Sequence, residues 1–480
     1  MAARAALPSQ PQPRLRLARL ASHIVLGTDT AAVKRPGEPS LHSCSGGAPA
    51  MAPPEGGSRG ILDGIRVIEL ATVVAAPSAC AYLADMGADV IKIEAPNAPD
   101  MSRSWGGGDD PARTASPELF QALKQKKGGG GSAYVQCNRG KRSMLLDVQK
   151  SSGIAVLKRL LANADVFVTN VRLKGLQKVG LDYEALAQEF PRLIYAHFTA
   201  FGRSGPKTDD PGFDYAAWWA HTGLMDLCRS SDDADMPRFP SGVGDNSTAV
   251  QLAGYIGLAL FHRERTGHGQ LVDASLFRSG ITGMAHILSQ FAGGTPWGNS
   301  KGDLHIRSSA KEGERKTQVI NAVYRCKDGT HVHLVGENIK QHVHKVLAAL
   351  ELSMVDVFGA EKPIWRNVDW ARATKIAEGV ISSKTFDEWV PIFRKHDVWH
   401  VKVQRFEDMF DDEQARSSGI FAEVPGLRHP LLKSPVQLSA DKAEPKRSAP
   451  GLGQHTSAVL EELGYTQEEQ EELRRDGAVR

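Results

Sequence analysis

Two buried-strand patterns flanking one short helical pattern constrain this chain most. Arg66-Val67-Ile68-Glu69-Leu70 reads as a buried strand. Pro77 suits the first turn of a helix reaching about Met86, and Gly87 ends it. Ala88-Asp89-Val90-Ile91-Lys92-Ile93-Glu94 then supplies a second strand. Strand, helix and strand in that order imply a parallel pair joined by a right-handed crossover. The pattern resumes with a strand over residues 144–148, a helix over 154–161, a strand over 165–171, a helix over 181–189 and a strand over 193–201. Such alternation predicts a doubly wound α/β domain. The first turn reads Ala71-Thr72-Val73-Val74-Ala75-Ala76-Pro77, without the Gly-rich fingerprint of dinucleotide sites, so a dehydrogenase is disfavoured.

An apolar run at residues 249–260 follows Gly244-Asp245-Asn246-Ser247-Thr248 and reads as a helix; Leu271-Val272-Asp273-Ala274-Ser275 reads as a strand. Composition changes after about Gln290. Two strands are predicted around Lys327-Asp328-Gly329-Thr330, with helical patterns to about Lys395. The expected organisation is an extension over 1–58, a large domain over 59–289, a smaller α+β domain over 290–400 and a C-terminal segment over 401–480. Residues 1–28 carry Arg4, Arg14, Arg16 and Arg19 and no acidic residue, the composition of a mitochondrial transit peptide. A start at Met51 gives a cytoplasmic protein instead. The glycine run at 128–131 lacks the strand and helix of a phosphate loop and is expected to be a surface insertion within 106–131.

A net charge of +3 over 480 residues gives no reason to expect nucleic acid or an acidic membrane as partner. No segment has the apolar length of a membrane helix. The five cysteines are scattered, which argues against a disulfide framework and a zinc site. His331 and His333 share a strand face without a third ligand and read as structural, and His286 reads as packed. No metal or tightly bound cofactor is expected.

Asp245 is the most informative polar residue. Before an apolar helix, an aspartate serves as an N-cap. The same place favours an ionised carboxylate, which is a competent nucleophile. The local sequence leaves both roles open.

Taken in order, these segments closely resemble the family III CoA-transferases, the group of formyl-CoA transferase and carnitine CoA-transferase. The landmarks are Gly60-Ile61-Leu62-Asp63-Gly64, Gly87-Ala88-Asp89-Val90-Ile91-Lys92-Ile93-Glu94, Asn138-Arg139-Gly140-Lys141-Arg142-Ser143, Phe201-Gly202-Arg203-Ser204-Gly205-Pro206, Gly212-Phe213-Asp214, Gly244-Asp245, Thr266-Gly267-His268-Gly269-Gln270 and Leu452-Gly453-Gln454-His455-Thr456. The resemblance covers about residues 60–480. It implies a Rossmann-like large domain, a small domain, and two chains interlocked as a homodimer. It places the family's catalytic aspartate on Asp245, which turns the balance from cap to nucleophile.

The implied reaction moves CoA from an acyl-CoA to a carboxylic acid through aspartyl anhydride and aspartyl-CoA thioester intermediates. CoA enters as a substrate moiety. The resemblance assigns CoA contacts to Ala75, Arg103, Asn138, Arg139, Lys141, Arg142, Asn170 and Arg172. Dicarboxylates such as succinate are plausible substrates. The chain departs from formyl-CoA transferase at Val74, which replaces a glutamine, and in lacking a four-glycine lid after Asp245; Gly293-Gly294 is the nearest candidate loop. In the related 2-methylacyl-CoA racemases a histidine precedes the aspartate where this chain has Phe213, and phenylalanine accepts no proton. A racemase-like enzyme and a non-catalytic CoA-binding protein are the alternatives.

Overall fold

The computed structural model describes residues 60–105, 130–229, 234–293, 318–336, 338–441 and 443–480. The expected extension over 1–58, most of the insertion and residue 294 onward in the glycine loop lie outside the described residues.

Six parallel strands form the main sheet: β1 (Arg66–Leu70), β2 (Asp89–Glu94), β3 (Arg142–Leu145), β4 (Val166–Thr169), β5 (Ile194–Thr199) and β6 (Leu271–Ser275). Their spatial order is β3-β2-β1-β4-β5-β6. The order therefore reverses between β1 and β4, and such a switch point opens a crevice outside the carboxyl ends of the two strands.

Alternation along the strands divides the core between the two faces of the sheet. Val67, Val90, Val166, Val168, Ile194 and Ala196 point to one face. There they meet α1 (Ala75–Asp85) and the long helix that begins at Val243. Ile68, Ile91, Ile93, Phe167 and Tyr195 point to the other face. They are covered by α3 (Ser151–Leu161), α4 (Tyr183–Glu189) and a C-terminal helix. A short helix, α2 (Ser132–Asn138), leads into β3. Further along the chain lie α5 (Val243–Thr266), α6 (Leu276–Gly283) and α7 (Ala285–Ala292).

Helix α1 begins two residues before the expected Pro77, so the proline sits third in the first turn, where its missing N–H has no intrahelical partner to lose. The expected strand over 144–148 pairs instead as Arg142–Leu145; Leu146 still donates to the Glu94 carbonyl at 2.9 Å, and from there the chain pairs with its own C-terminal residues, Leu146 bridging Val479.

A separate antiparallel sheet holds β7 (Ala322–Arg325), β8 (His331–Leu334) and β9 (His400–Lys402). It has its own core, in which Val332, Leu334, Trp389 and Phe393 are buried. The chain then returns to the main sheet. Helix α8 (Thr456–Glu462) and the terminal residues settle beside β3, where the N–H of Asp147 donates to the Ala478 carbonyl at 2.8 Å. No helix among the described residues is long and apolar enough to cross a membrane.

Candidate active site

Helix α5 begins at Val243, with Gly242 in the left-handed region as its N-cap. Asp245 is therefore the third helical residue, which corrects the N-cap reading. Asp214 does the capping from a distance: its Oδ2 accepts from the Gly242 N–H at 2.6 Å and its Oδ1 from the Tyr215 N–H at 2.7 Å. Gly244 is required by crowding, since a Cβ there would meet Trp218 at 2.6 Å. Asp245 is thus held in a turn fixed by Asp214 on one side and Trp218 on the other.

Asp245 is 8% exposed and its carboxylate has no hydrogen-bond partner among the described residues. Burial, aided by the nearby charge of Asp214, pushes it up from the usual 3.8 to about 7. That rise disfavours ionisation by roughly 4 kcal/mol. A helix terminus gives a carboxylate only about 0.3–1 kcal/mol at an exposed site. Burial therefore outweighs the dipole, and the expectation of a readily ionised Asp245 is corrected. A raised carboxyl is a stronger base and nucleophile once its proton is lost, and at neutral pH about half is ionised.

At the switch point, the turns after β1 and β4 are tied together. The Thr72 N–H donates to Asn170 Oδ1 at 3.1 Å, and Asn170 Nδ2 donates to the Thr72 carbonyl at 2.8 Å. Lys92 Nζ donates to the Ala71 carbonyl at 2.7 Å. The Val73 N–H lies 3.1 and 3.2 Å from the two oxygens of Asp100. Val73 has a φ of +76°, a conformation β-branched residues rarely adopt. Ala75 starts α1 directly after this turn, and exposed Arg172 follows the Asn170 turn.

Beneath the turn lies a buried charge cluster. Glu69, Lys92 and Glu94 lie on the face that carries Val67 and Val90, at the carboxyl ends of β1 and β2. Lys92 bridges Glu69 at 2.8 Å and Asp100 at 2.9 Å; Lys141 reaches Glu69 at 2.6 Å; Arg103 forks onto Glu94 at 2.8 and 2.5 Å. The cations hold Glu69 below the ordinary glutamate range, and Arg103 pulls Glu94 down to about 2, both against the opposing effect of burial.

Four of the five cationic side chains expected to meet CoA, all but Arg172, are thereby committed to partners within the chain. Arg103 and Lys141 belong to this cluster. Asn138 accepts from Lys141 Nζ at 2.8 Å and donates to the Tyr134 carbonyl at 3.0 Å. Arg139 is 1% exposed and forks onto Asp85 at 3.1 and 2.6 Å. Arg142 grips Asp89 at 2.6 Å and Glu462 at 2.5 Å, tying α8 to the sheet. Of the eight expected contacts, Asn170 and exposed Arg172 lie at the turn after β4 on the switch point, and Ala75, which opens α1 beside it, is buried.

A cleft of about 510 Å³ runs between α5, β6 and α6, beginning at Thr248, one turn beyond Asp245. Among the described residues no group of three or more His, Cys, Asp or Glu is placed to hold a metal ion. His333 bonds Asn321 at 3.0 Å, whereas His286, expected to be packed, is exposed and bonds Gln290.

With this geometry in place, comparison with known proteins decides the family. The family model described as CoA-transferase family III matches residues 62–456. The chain belongs to that family. Cinnamoyl-CoA:phenyllactate CoA-transferase of Clostridium sporogenes is 31% identical over 87% of this chain and 96% of its own length. Succinate–glutarate CoA-transferase of Agrobacterium fabrum is 30% identical over 84% and 95%. The crystal structure of a CAIB/BAIF family protein from Brucella suis superposes with a TM-score of 0.67 at 27% identity, covering 85% of this chain and all of that one. This family III CoA-transferase is an enzyme of the class, although racemases are among the relatives too.

Phe213, the expected counterpart of the racemase histidine, is 43% exposed and stacked on Tyr215. Sequence reading missed Trp218 and Asp100. The Trp218-Trp219 pair, in a π-helical turn over Tyr215–Ala220, was the available signal for the first; nothing in the local sequence marks Asp100.

Proposed function

We propose that the protein transfers CoA between carboxylic acids with Asp245 as nucleophile. The observation that carries this reading is a buried carboxylate without a hydrogen-bond partner among the described residues, held in the first turn of α5. A purely structural aspartate would be bonded, as Asp214 is.

In the proposed sequence, an Asp245 oxygen attacks the donor thioester carbonyl, the C–S bond breaks, and CoA leaves as thiolate. The thiolate then attacks the aspartyl carbonyl of the mixed anhydride and releases the donor acid, leaving an aspartyl-CoA thioester. The acceptor carboxylate attacks that thioester, the C–S bond breaks with CoA leaving as thiolate, and a second anhydride forms. CoA thiolate attacks its acyl carbonyl, which yields the new acyl-CoA and regenerates Asp245. Covalent catalysis divides one difficult exchange into easier steps. Both intermediates hydrolyse readily, so a water-poor setting favours transfer.

CoA is assigned to the crevice at Ala75, Asn170 and Arg172, with Arg103, Asn138, Arg139, Lys141 and Arg142 as the frame behind it. Relatives that act on succinate and glutarate support a dicarboxylic acid as one partner. The proposed assembly is an interlocked homodimer with a Rossmann-like domain over 59–289, a small domain over 290–400 and a returning segment over 401–480. The exposed apolar stripe Tyr255, Leu258 and Phe261 on α5 supports that assembly.

The test is mass spectrometry of wild type and Asp245→Ala after succinyl-CoA and then hydroxylamine. An activated aspartyl carbonyl becomes a hydroxamate, a gain of about 15 Da. The gain is expected at Asp245 of the wild type and nowhere in the variant. Absence of the gain across a panel of acyl-CoAs sinks the nucleophile assignment and favours a racemase-like or binding role.

A further inference from the structure

The turn Ala71-Thr72-Val73 is held more tightly than the sheet requires. Each of its residues is gripped through its backbone by a polar side chain from elsewhere: Ala71 by Lys92, Thr72 by Asn170, Val73 by Asp100. Val73 sits at a φ of +76°, where glycine would be the easy choice. A β-branched residue stays there only if its surroundings over-determine it, and such positions cluster at ligand clamps. Asp100 supplies that constraint and is itself anchored. It accepts from the Ser102 N–H at 3.0 Å and from Ser102 Oγ at 2.7 Å, meets Lys92 Nζ at 2.9 Å, and donates its own N–H to Glu94 Oε1 at 3.1 Å. The turn lies where the strand order reverses, and ligands bind open α/β sheets there. Thr72 is exposed and Val73 and Val74 are half-buried, so the surface of the turn is reachable.

We propose that Asp100 is a positioning residue for acyl-CoA binding: by holding Val73 in its left-handed conformation it presets the β1–α1 turn on which the CoA moiety rests. This rests on the transferase reading above. Asp100 has no contact with CoA itself in this scheme. Its effect passes through the Val73 backbone, so it governs substrate affinity rather than the covalent step.

The experiment is calorimetric titration with free CoA and with succinyl-CoA of wild type, Asp100→Ala and the double variant Asp100→Ala/Val73→Gly, with thermal unfolding recorded for each. Without its carboxylate, Val73 relaxes to negative φ, and CoA affinity is expected to fall about tenfold. KM for acyl-CoA should rise by a similar factor with kcat little changed. Glycine adopts positive φ without help, so the double variant is expected to recover most of the lost affinity. A merely structural Asp100 gives no such recovery. Wild-type affinity in Asp100→Ala, or no recovery in the double variant, overturns the proposal while leaving the transferase reading intact. If Asp100→Ala is insoluble, a soluble double variant that binds CoA supports the proposal, and an insoluble one overturns it by showing that Asp100 serves the charge balance of the core. A wild type that binds neither ligand removes both this proposal and the transferase reading.

Discussion

At pH 8 the ionised Asp245 is a burden on the folded state, and the sign of the effect follows from its proton affinity. In the unfolded chain the carboxyl loses its proton near 3.8, and in the fold only near 7. Its stabilising influence is therefore full below pH 3.8, declines between the two values, and is gone above about 7. The Asp245→Asn variant avoids this decline. It is expected to be more stable than wild type by about 2–4 kcal/mol at pH 8 and by little at pH 4, read from urea unfolding at both values. Equal stabilities at pH 8 would contradict the buried, partnerless carboxylate. In the same way, kcat/KM for acyl-CoA is expected to fall about tenfold per pH unit below 7, as the free enzyme takes up the proton. The sequence showed which residue to watch but not its ionisation. The dipole of α5 is a local property that can be read from a window of residues. Burial and the charge of Asp214 come from folding, and no window contains them.

Helix α5 depends on one missing methyl group. Replacing Gly244 by alanine drives a Cβ to within 2.6 Å of Trp218, in the turn that carries Asp245. Such overpacking is expected to lower stability by about 1–3 kcal/mol. Gly257, further along the same helix, has no atom within 4 Å of an added Cβ. Alanine there is expected to stabilise by about 0.5–1 kcal/mol, so the two variants should move the urea midpoint in opposite directions. At this scale the sequence was largely legible. Five of the six expected strands of the main sheet fall within two residues of the observed ones, because buried alternation is written in consecutive residues. The ends of elements were less so. Helix α5 opens at Val243 because a carboxylate 28 residues upstream caps Gly242. The basic turn at 138–142 reads in the sequence as a set of CoA contacts, because its partners Asp85, Asp89, Glu69 and Glu462 lie far away in the chain. Charge identity is local, whereas charge pairing is tertiary.

For the whole molecule, the stripe of Tyr255, Leu258 and Phe261, each more than 60% exposed, is where the proposed dimer is most easily tested. Leu258→Glu places a charge in that stripe. Sedimentation is expected to show a dimer for wild type and a monomer for the variant; an unchanged dimer would move the interface elsewhere. The other border of the main sheet closes differently. Strand β3 ends the sheet, and its backbone is met by the last part of the chain: the His455 N–H donates to the Ser143 carbonyl at 2.9 Å, and the Leu145 N–H donates to Thr456 Oγ1 at 3.1 Å. Ser143 and His455 are 312 residues apart in sequence. On a ribosome adding about 5–20 residues per second, that separation is roughly 15–60 s of synthesis. Throughout that interval the nascent protein carries a sheet with a raw edge, the kind that recruits foreign strands. Residues 455–479 act as a closing seam, so a message cut short before them leaves a chain with Asp245 already made and its sheet unsealed.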